Sequence, residues 1–236
     1  FEVRPQVVVF PKDREDLKAL VRFVAEKKLG SPSTSSGTNY PPSQVEGLPK
    51  FSLTARSGGT DMTGGPLNES IILDFTKHFD RIKIAAPSAD GGARNDGVSA
   101  IAQPGVWYRD FEKETLKHGY LMPSYPASRE ICAIGGMVAN NSGGEKTLYY
   151  GKTENYVEKV KAVLSDGNEY EFKKLDKLEL DKKIKWQNFE GEIYKKIFEL
   201  LDQNYELIKK SKPKVSKNST GYNIWHVWDK EKGEFN

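Results

Sequence analysis

Ten residues, Arg56-Ser-Gly-Gly-Thr-Asp-Met-Thr-Gly-Gly65, constrain this chain more than any other stretch. They lie between two short strand-like runs, Ser52–Ala55 and Ser70–Phe75. Glycines at 58, 59, 64 and 65 let backbone N–H groups converge with no Cβ in the way, and Thr60 and Thr63 add hydroxyls. Converging amides form a concave site for an anion such as a diphosphate. No Gly-Lys-Ser/Thr follows, so this is not a Walker loop, and it lacks the G-x-G-x-x-G spacing that opens a helix. Taken alone it is equally a pair of tight turns.

Composition narrows the setting. With 37% apolar residues in 236, the chain holds enough for a core and is not wholly disordered. The length corresponds to one or two domains. A net charge of +3 is too small a surplus to argue for nucleic acid. A single cysteine, Cys132, excludes an internal disulfide framework and a cysteine-rich metal cluster. No apolar run approaches the ~20 residues of a membrane span. There is no signal-peptide start, and Phe1 in place of an initiator Met suggests a processed form or a piece of a longer chain. A cytoplasmic protein is the simplest expectation.

Along the chain, Gln6–Phe10 reads as a strand. Asp13 is an N-cap for a helix whose stripe is Leu17, Leu20, Val21, Val24 and Ala25, ending near Lys28. From Gly30 to Pro49, five Ser, four Pro and three Gly signal a long flexible loop, and Pro87–Gly97 is a second one. Arg81–Ala85 and Ser99–Gln103 are strand-like. Trp107–His118 reads as a helix with Phe111, Thr115 and Leu116 on one face. Tyr156–Leu164 and Glu169–Phe172 form a hairpin about Asp166-Gly167. Glu192–Ile208 reads as one helix with Ile193, Ile197, Leu200 and Leu201 as its apolar stripe. The elements are short and mixed, an α+β pattern. Between 173 and 217, 13 Lys face 8 acidic residues. That excess reads first as a solvated face, with an anionic partner or a membrane-surface patch as the alternative.

A second informative region is Pro123-Ser-Tyr-Pro-Ala-Ser128, followed by Ile134-Gly-Gly-Met-Val-Ala-Asn-Asn-Ser-Gly-Gly144. Gly135, Gly136 and Ala139 let a short helix approach a flat ligand, and Asn140, Asn141 and Ser142 bring donors and acceptors to its end before Gly143-Gly144 breaks it. Tyr149-Tyr-Gly-Lys-Thr153 is a turn entering the Tyr156 strand.

Taken in order, these stretches resemble the FAD-binding (PCMH-type) domain of the vanillyl-alcohol oxidase / p-cresol methylhydroxylase superfamily, in particular its glycolate oxidase / D-lactate dehydrogenase-like branch of FAD-linked oxidases. Arg56–Gly65 is similar to the diphosphate loop and Gln103-Pro-Gly-Val106 to a strand-end turn. Residues 123–128 with 134–144 resemble the flavin-cradling segment. Tyr150–Thr153 and 156–167 resemble the strand that meets the adenine, and Lys217-Asn-Ser-Thr-Gly-Tyr-Asn223 a late Thr-Gly-Tyr motif.

The resemblance implies a two-lobed α+β domain holding FAD between two α+β subdomains, residues 1–85 (with the flexible insert 30–50) and 86–236, with the C-terminal cap domain absent. It implies cofactor contacts from Arg56, Ser57, Gly58, Gly59, Thr60, Asp61, Met62 and Gly64. Further contacts would come from Pro123, Ser124 and Ser128, from Gly135, Gly136, Ala139, Asn140, Ser142 and Gly143, and from Val160 and Ala162. It implies an oxidoreductase acting on CH–OH groups of a small molecule, a D-2-hydroxy acid such as lactate or glycolate, by hydride transfer to flavin N5. Another alcohol or aldonolactone oxidase of the superfamily, or a non-catalytic nucleotide-binding module, are the alternatives. Where some relatives carry a flavin-linking His this chain has Thr60, so non-covalent FAD is expected. Ala133 replaces a Thr or Ser frequent in the family. No catalytic residue or metal ligand is assigned; substrate-binding groups would lie beyond Asn236, and the electron acceptor is not readable. His78, His118 and His226 are too far apart for ligand spacing, and Cys132 reads as a buried, inert thiol.

Overall fold

Asp13 and the apolar stripe behind it set the first element. The Asp13 carboxylate accepts the N–H groups of Glu15 and Asp16 at 2.9 and 3.0 Å, the N-cap arrangement that starts α1 (Arg14–Leu29). The computed structural model describes residues 2–29, 51–85, 98–215, 218, 219 and 221–236. The insert 30–50, the loop 87–97, and Lys217 and Thr220 of the Thr-Gly-Tyr motif lie wholly or almost wholly outside the described residues. The chain divides into two units, Phe1–Tyr156 and Val157–Asn236.

In the first unit β1 (Val7–Val9), β2 (Leu53–Arg56) and β3 (Ile71–Asp74) make a parallel sheet of order β1-β3-β2. The central strand β3 is buried along Ile71, Ile72 and Leu73, which is why it reads as an unbroken apolar run. Val24, Leu17 and Leu20 of α1 pack with Ile71, Leu73, Phe75 and Phe79. β4 (Ile82–Ala85) pairs antiparallel with β5 (Ser99–Ala102). The expected subdomain boundary at 85/86 therefore falls between two hydrogen-bonded strands, inside the first unit, and the units divide at 156/157.

A second core joins Tyr108 and Phe111 of α2 (Tyr108–Leu116) to Val106, Tyr125, Cys132, and Ile134 and Met137 of α3 (Ile134–Ala139). On α2, Tyr108, Phe111 and Thr115 are buried, whereas Leu116 is 54% exposed. One residue past Thr115 is a 100° turn of the helix, which carries Leu116 off the face on which it was expected. A one-turn helix not read from the sequence, α4 (Thr147–Tyr150), leads into a 3-10 turn at Thr153–Tyr156.

The second unit opens with the expected hairpin, β6 (Lys159–Val163) and β7 (Glu169–Lys173). Its first strand starts three residues later than expected, because Tyr156 closes the 3-10 turn and donates its hydroxyl to the Tyr150 carbonyl at 2.8 Å. Then come β8 (Leu175–Asp176), α5 (Lys177–Lys183), α6 (Phe189–Gln203), α7 (Tyr205–Ser211), β9 (Trp228–Asp229) and β10 (Glu234–Phe235), the strands ordered β8-β10-β9. Asp176 and Glu179 form a reciprocal capping box at the start of α5. The single helix expected over Glu192–Ile208 is two helices, interrupted at Asn204, whose side-chain amide donates to the Leu200 carbonyl. Its buried stripe also differs: Tyr194, Phe198 and Leu201 enter the core with Leu180, Trp228 and Phe235, while Ile197 and Leu200 are exposed. Aromatic area decides which face turns inward.

Candidate functional site

β2 ends at Arg56, and the glycine-rich loop leaves from the C-terminal edge of the parallel sheet, where α/β sheets place their ligands. Gly58 lies flush on the chain at 131–133. A Cβ there would stand 2.8 Å from the Ile131 carbonyl oxygen and 3.0 Å from the Ala133 nitrogen. Gly59 takes φ +65°, a conformation L side chains rarely adopt. Among the described residues no acceptor binds the N–H groups of Gly58, Gly59 or Thr60. The Arg56 guanidinium packs against the Gly59 Cα face and has no carboxylate partner among the described residues. Three open amides and an uncompensated cation thus share one small surface.

The far half of the loop is closed by its own carboxylate. Asp61 accepts the Thr63 hydroxyl at 2.6 Å, the Thr63 N–H at 3.1 Å and the Gly65 N–H at 3.1 Å. Those amides are unavailable to a ligand, which the residue types alone did not disclose. The Thr63 hydroxyl bond and then the Thr63 amide bond hold the Asp61 carboxyl below its ordinary 3.8 against the opposing effect of burial, with lesser help from the Gly65 amide and the Asn140 side chain. A depressed carboxyl stabilises the fold above its unfolded value and withdraws that support as pH falls. Acid unfolding below about pH 4 is therefore expected to be less steep in Asp61→Asn, measured by circular dichroism across pH 2–6. Met62 at the loop tip is fully exposed, and Gly64 has φ +84°.

Ser57 connects this loop to α3: its hydroxyl accepts the Gly136 N–H at 2.9 Å. Gly135 packs on Pro104, where a Cβ would meet the Pro104 Cβ at 2.6 Å and its carbonyl oxygen at 2.8 Å, and its own N–H donates to that oxygen at 3.0 Å. The end of α3 is a Schellman turn: Asn141 (φ +45°) donates to Val138 and Ser142 to Met137. The helix therefore ends at Ala139, before the Gly143-Gly144 break expected from the sequence. Ala139 and Asn140 are exposed there, Ser142 and Gly143 half-buried. Removing the Ser57 hydroxyl is expected to leave the Gly136 amide unpaired. Ser57→Ala should then unfold at about 1 kcal/mol less stability in urea titration.

Pro123 and Ser124 are buried. Thr153 donates its hydroxyl to the Ser142 carbonyl at 2.8 Å and its N–H to the same oxygen at 3.0 Å, and its hydroxyl lies 3.2 Å from that of Ser124. The Ser128 hydroxyl reaches to 3.5 Å from that of Thr60. The structure thus gathers 56–64, 123–128 and 135–143 in one unit. Val160 and Ala162 stand on β6 of the second unit, Val160 exposed and Ala162 half-buried.

Sequence reasoning missed the supports of this site. Arg129 pairs with Glu112 at 2.5 Å and lies over the Tyr125 ring, 4.6 Å from its centroid. Tyr108, wholly buried, donates to the Met122 carbonyl at 2.8 Å, and burial raises its phenol well above the usual range. No local signal marks the two hydrogen bonds, since Glu112 is 17 residues from Arg129 and Met122 is 14 from Tyr108. Cys132 is buried as expected, and burial pushes its thiol up to about 11. His78, His118 and His226 are carried on separate elements, and among the described residues no three acidic, His or Cys side chains group as metal ligands would.

Residues 48–173 match the family described as an FAD binding domain, and the chain belongs to that family; FAD is its cofactor. The full chain is 28% identical over 236 residues to D-2-hydroxyglutarate dehydrogenase of Escherichia coli, and 68% of it is 31% identical to D-lactate dehydrogenase of Archaeoglobus fulgidus. It spans 20% of the former protein and 29% of the latter. Among solved structures, 6-hydroxy-D-nicotine oxidase from Arthrobacter nicotinovorans is similar over 73% of this chain and 31% of its own, at 19% identity and a TM-score of 0.54. A chitooligosaccharide oxidase covers 79% of this chain and 32% of its own, at 17% identity and a TM-score of 0.53. At these identities the likeness is one of fold. Among the described residues no helix is long and apolar enough to cross a membrane.

Proposed function

We propose that this chain is the flavin domain of an oxidoreductase that oxidises a D-2-hydroxy acid. The observation that carries the reading is the paired opening of Gly58–Thr60 amides and the Arg56 guanidinium, tied through Ser57 to the start of α3. That donor set fits a diphosphate, which needs convergent N–H groups and positive charge. The absent Cβ atoms at 58 and 59 leave the backbone bare where it would approach one. Gly58, Gly59, Thr60 and Arg56 would hold the diphosphate, with Asp61 shaping the loop rather than touching the anion. Ser124, Ser128, Gly136, Asn140, Ser142 and Gly143 would border the ring system. Thr60 in place of a linking histidine supports non-covalent attachment.

When bound, FAD supplies a hydride acceptor at N5. The segments 123–128 and 135–143 would orient that ring and exclude water from one side of it. The relatives named as D-2-hydroxyglutarate and D-lactate dehydrogenases support the substrate class. A small-molecule substrate and a cytoplasmic location complete the reading. The full-length protein should purify yellow, release FAD on denaturation, and lose its flavin absorbance anaerobically with D-2-hydroxyglutarate or D-lactate but not with the L-enantiomers. A colourless, folded protein indifferent to added FAD would overturn the proposal.

A further inference from the structure

In the second unit most of the lysine excess is matched locally. Lys173 pairs with Glu179 at 2.8 Å, Lys177 with Asp181 at 2.6 Å and Lys196 with Glu192 at 2.6 Å, and Lys183 pairs with Glu190. The C-terminal end of α7 differs. Lys209, Lys210, Lys212 and Lys214 are all exposed and have no carboxylate within ion-pair distance among the described residues; with Pro213 they line one concavity of about 410 Å³. The last carbonyls of α7 favour cations at Lys209 and Lys210, but Lys212 and Lys214 lie past the helix and owe nothing to it.

Two aliphatic side chains bracket the lysines. Leu207 is 63% and Val215 62% exposed, and Leu207 sits one turn before Lys210 on the same side of α7. No residue of α7 is buried. Cations interleaved with exposed aliphatic groups match the two layers of a bilayer boundary: headgroup phosphates outside, acyl chains just beneath. A free polyanion would use the lysines and gain nothing from Leu207 or Val215. A nucleic acid would want a stacking platform, yet residues 207–215 include no aromatic side chain, and Tyr205 at the start of α7 lies beneath the ammonium groups of Lys209 and Lys230 at 5.3 and 5.7 Å.

We propose that the segment 207–215 docks this protein peripherally on an anionic bilayer, with Lys210, Lys212 and Lys214 at the lipid phosphates and Leu207 and Val215 in the boundary layer. The proposal is independent of the flavin reading and needs no bound FAD.

Vesicle co-sedimentation tests it, with vesicles of three parts phosphatidylcholine to one part phosphatidylglycerol and with pure phosphatidylcholine as comparison. The protein should bind the anionic vesicles, ignore the neutral ones and dissociate as salt rises. Each surface lysine contributes about five-fold in partitioning, so K210E/K212E/K214E should lower it by about a hundred-fold or more. K185E/K195E, two charge reversals elsewhere in the unit, should stay within about two-fold. L207S/V215S should bind several-fold less while keeping the salt dependence. Unchanged far-UV circular dichroism shows that each variant folds. Vesicle binding that survives the triple reversal would overturn the proposal. So would an absence of binding, or binding of inorganic polyphosphate as tight as vesicles and indifferent to L207S/V215S.

Discussion

Gly105→Ala is expected to destabilise the first unit as a whole rather than to weaken one contact in it. A Cβ at this position would stand 2.0 Å from the Phe75 carbonyl oxygen and 2.7 Å from that of Phe79. Both obstacles are backbone, and no rotamer relieves them. The Gly105 N–H already donates to the Phe79 oxygen at 2.8 Å. Its neighbours carry the rest of the junction: Pro104 accepts from Gly135, Val106 accepts from Ile134, and Trp107 bridges Ala133. Displacing the turn therefore pulls on the end of β3 and the start of α3 together. The cost should reach about 4 kcal/mol or more, an exceptional value for one methyl group, and lower the melting temperature by roughly 10 °C or more in calorimetry. A transition unchanged from the parent would show that the Phe75–Phe79 turn relaxes freely.

Gly59→Asp is expected to do the opposite, sparing the fold and weakening flavin affinity about a hundred-fold. Aspartate tolerates φ +65° better than most residues, at a cost near 1 kcal/mol. The nearest obstacle to its Cβ is the Arg56 guanidinium at 2.6 Å, the far end of a flexible side chain. The new carboxylate would pair with that cation, removing the loop's positive charge, and would face the diphosphate with a negative one. At about 5 Å and an effective dielectric near 20 the added repulsion is about 3 kcal/mol, two decades in Kd. Gly59→Ala separates strain from charge and should lose far less. The measurement is FAD titration by flavin fluorescence, and parent-like affinity in Gly59→Asp would remove the diphosphate from this loop.

Much of the fold was legible because its signals are local. Asp13 as an N-cap and the continuous apolar run of β3 in the first unit, and the Asp166-Gly167 turn in the second, depend on residues a few positions apart. The glycine loop was legible as four glycines in ten residues. Its division into an open half and a half closed by Asp61 was not, because which amides a carboxylate takes depends on the folded path of the loop. The errors in the second unit have the same origin. An Ile/Leu stripe and a Tyr/Phe/Leu stripe run along α6 at similar helical spacing, and the core that chooses between them is built from Leu180, Trp228 and Phe235, far along the chain. Leu116 was misplaced by one residue for want of knowing which side of α2 meets Tyr125.

Cys132 has a practical consequence. It is the chain's one thiol, 3% exposed, and its backbone lies directly against Gly58. Burial holds the thiol at about 11, so in the closed state alkylating reagents find neither access nor thiolate. Its labelling rate therefore counts openings of the floor beneath the glycine loop, one molecule at a time and with no engineered probe. A cofactor that presses the loop onto that floor would slow the reaction in proportion to its occupancy, so the protein carries its own clock for how often this site comes apart.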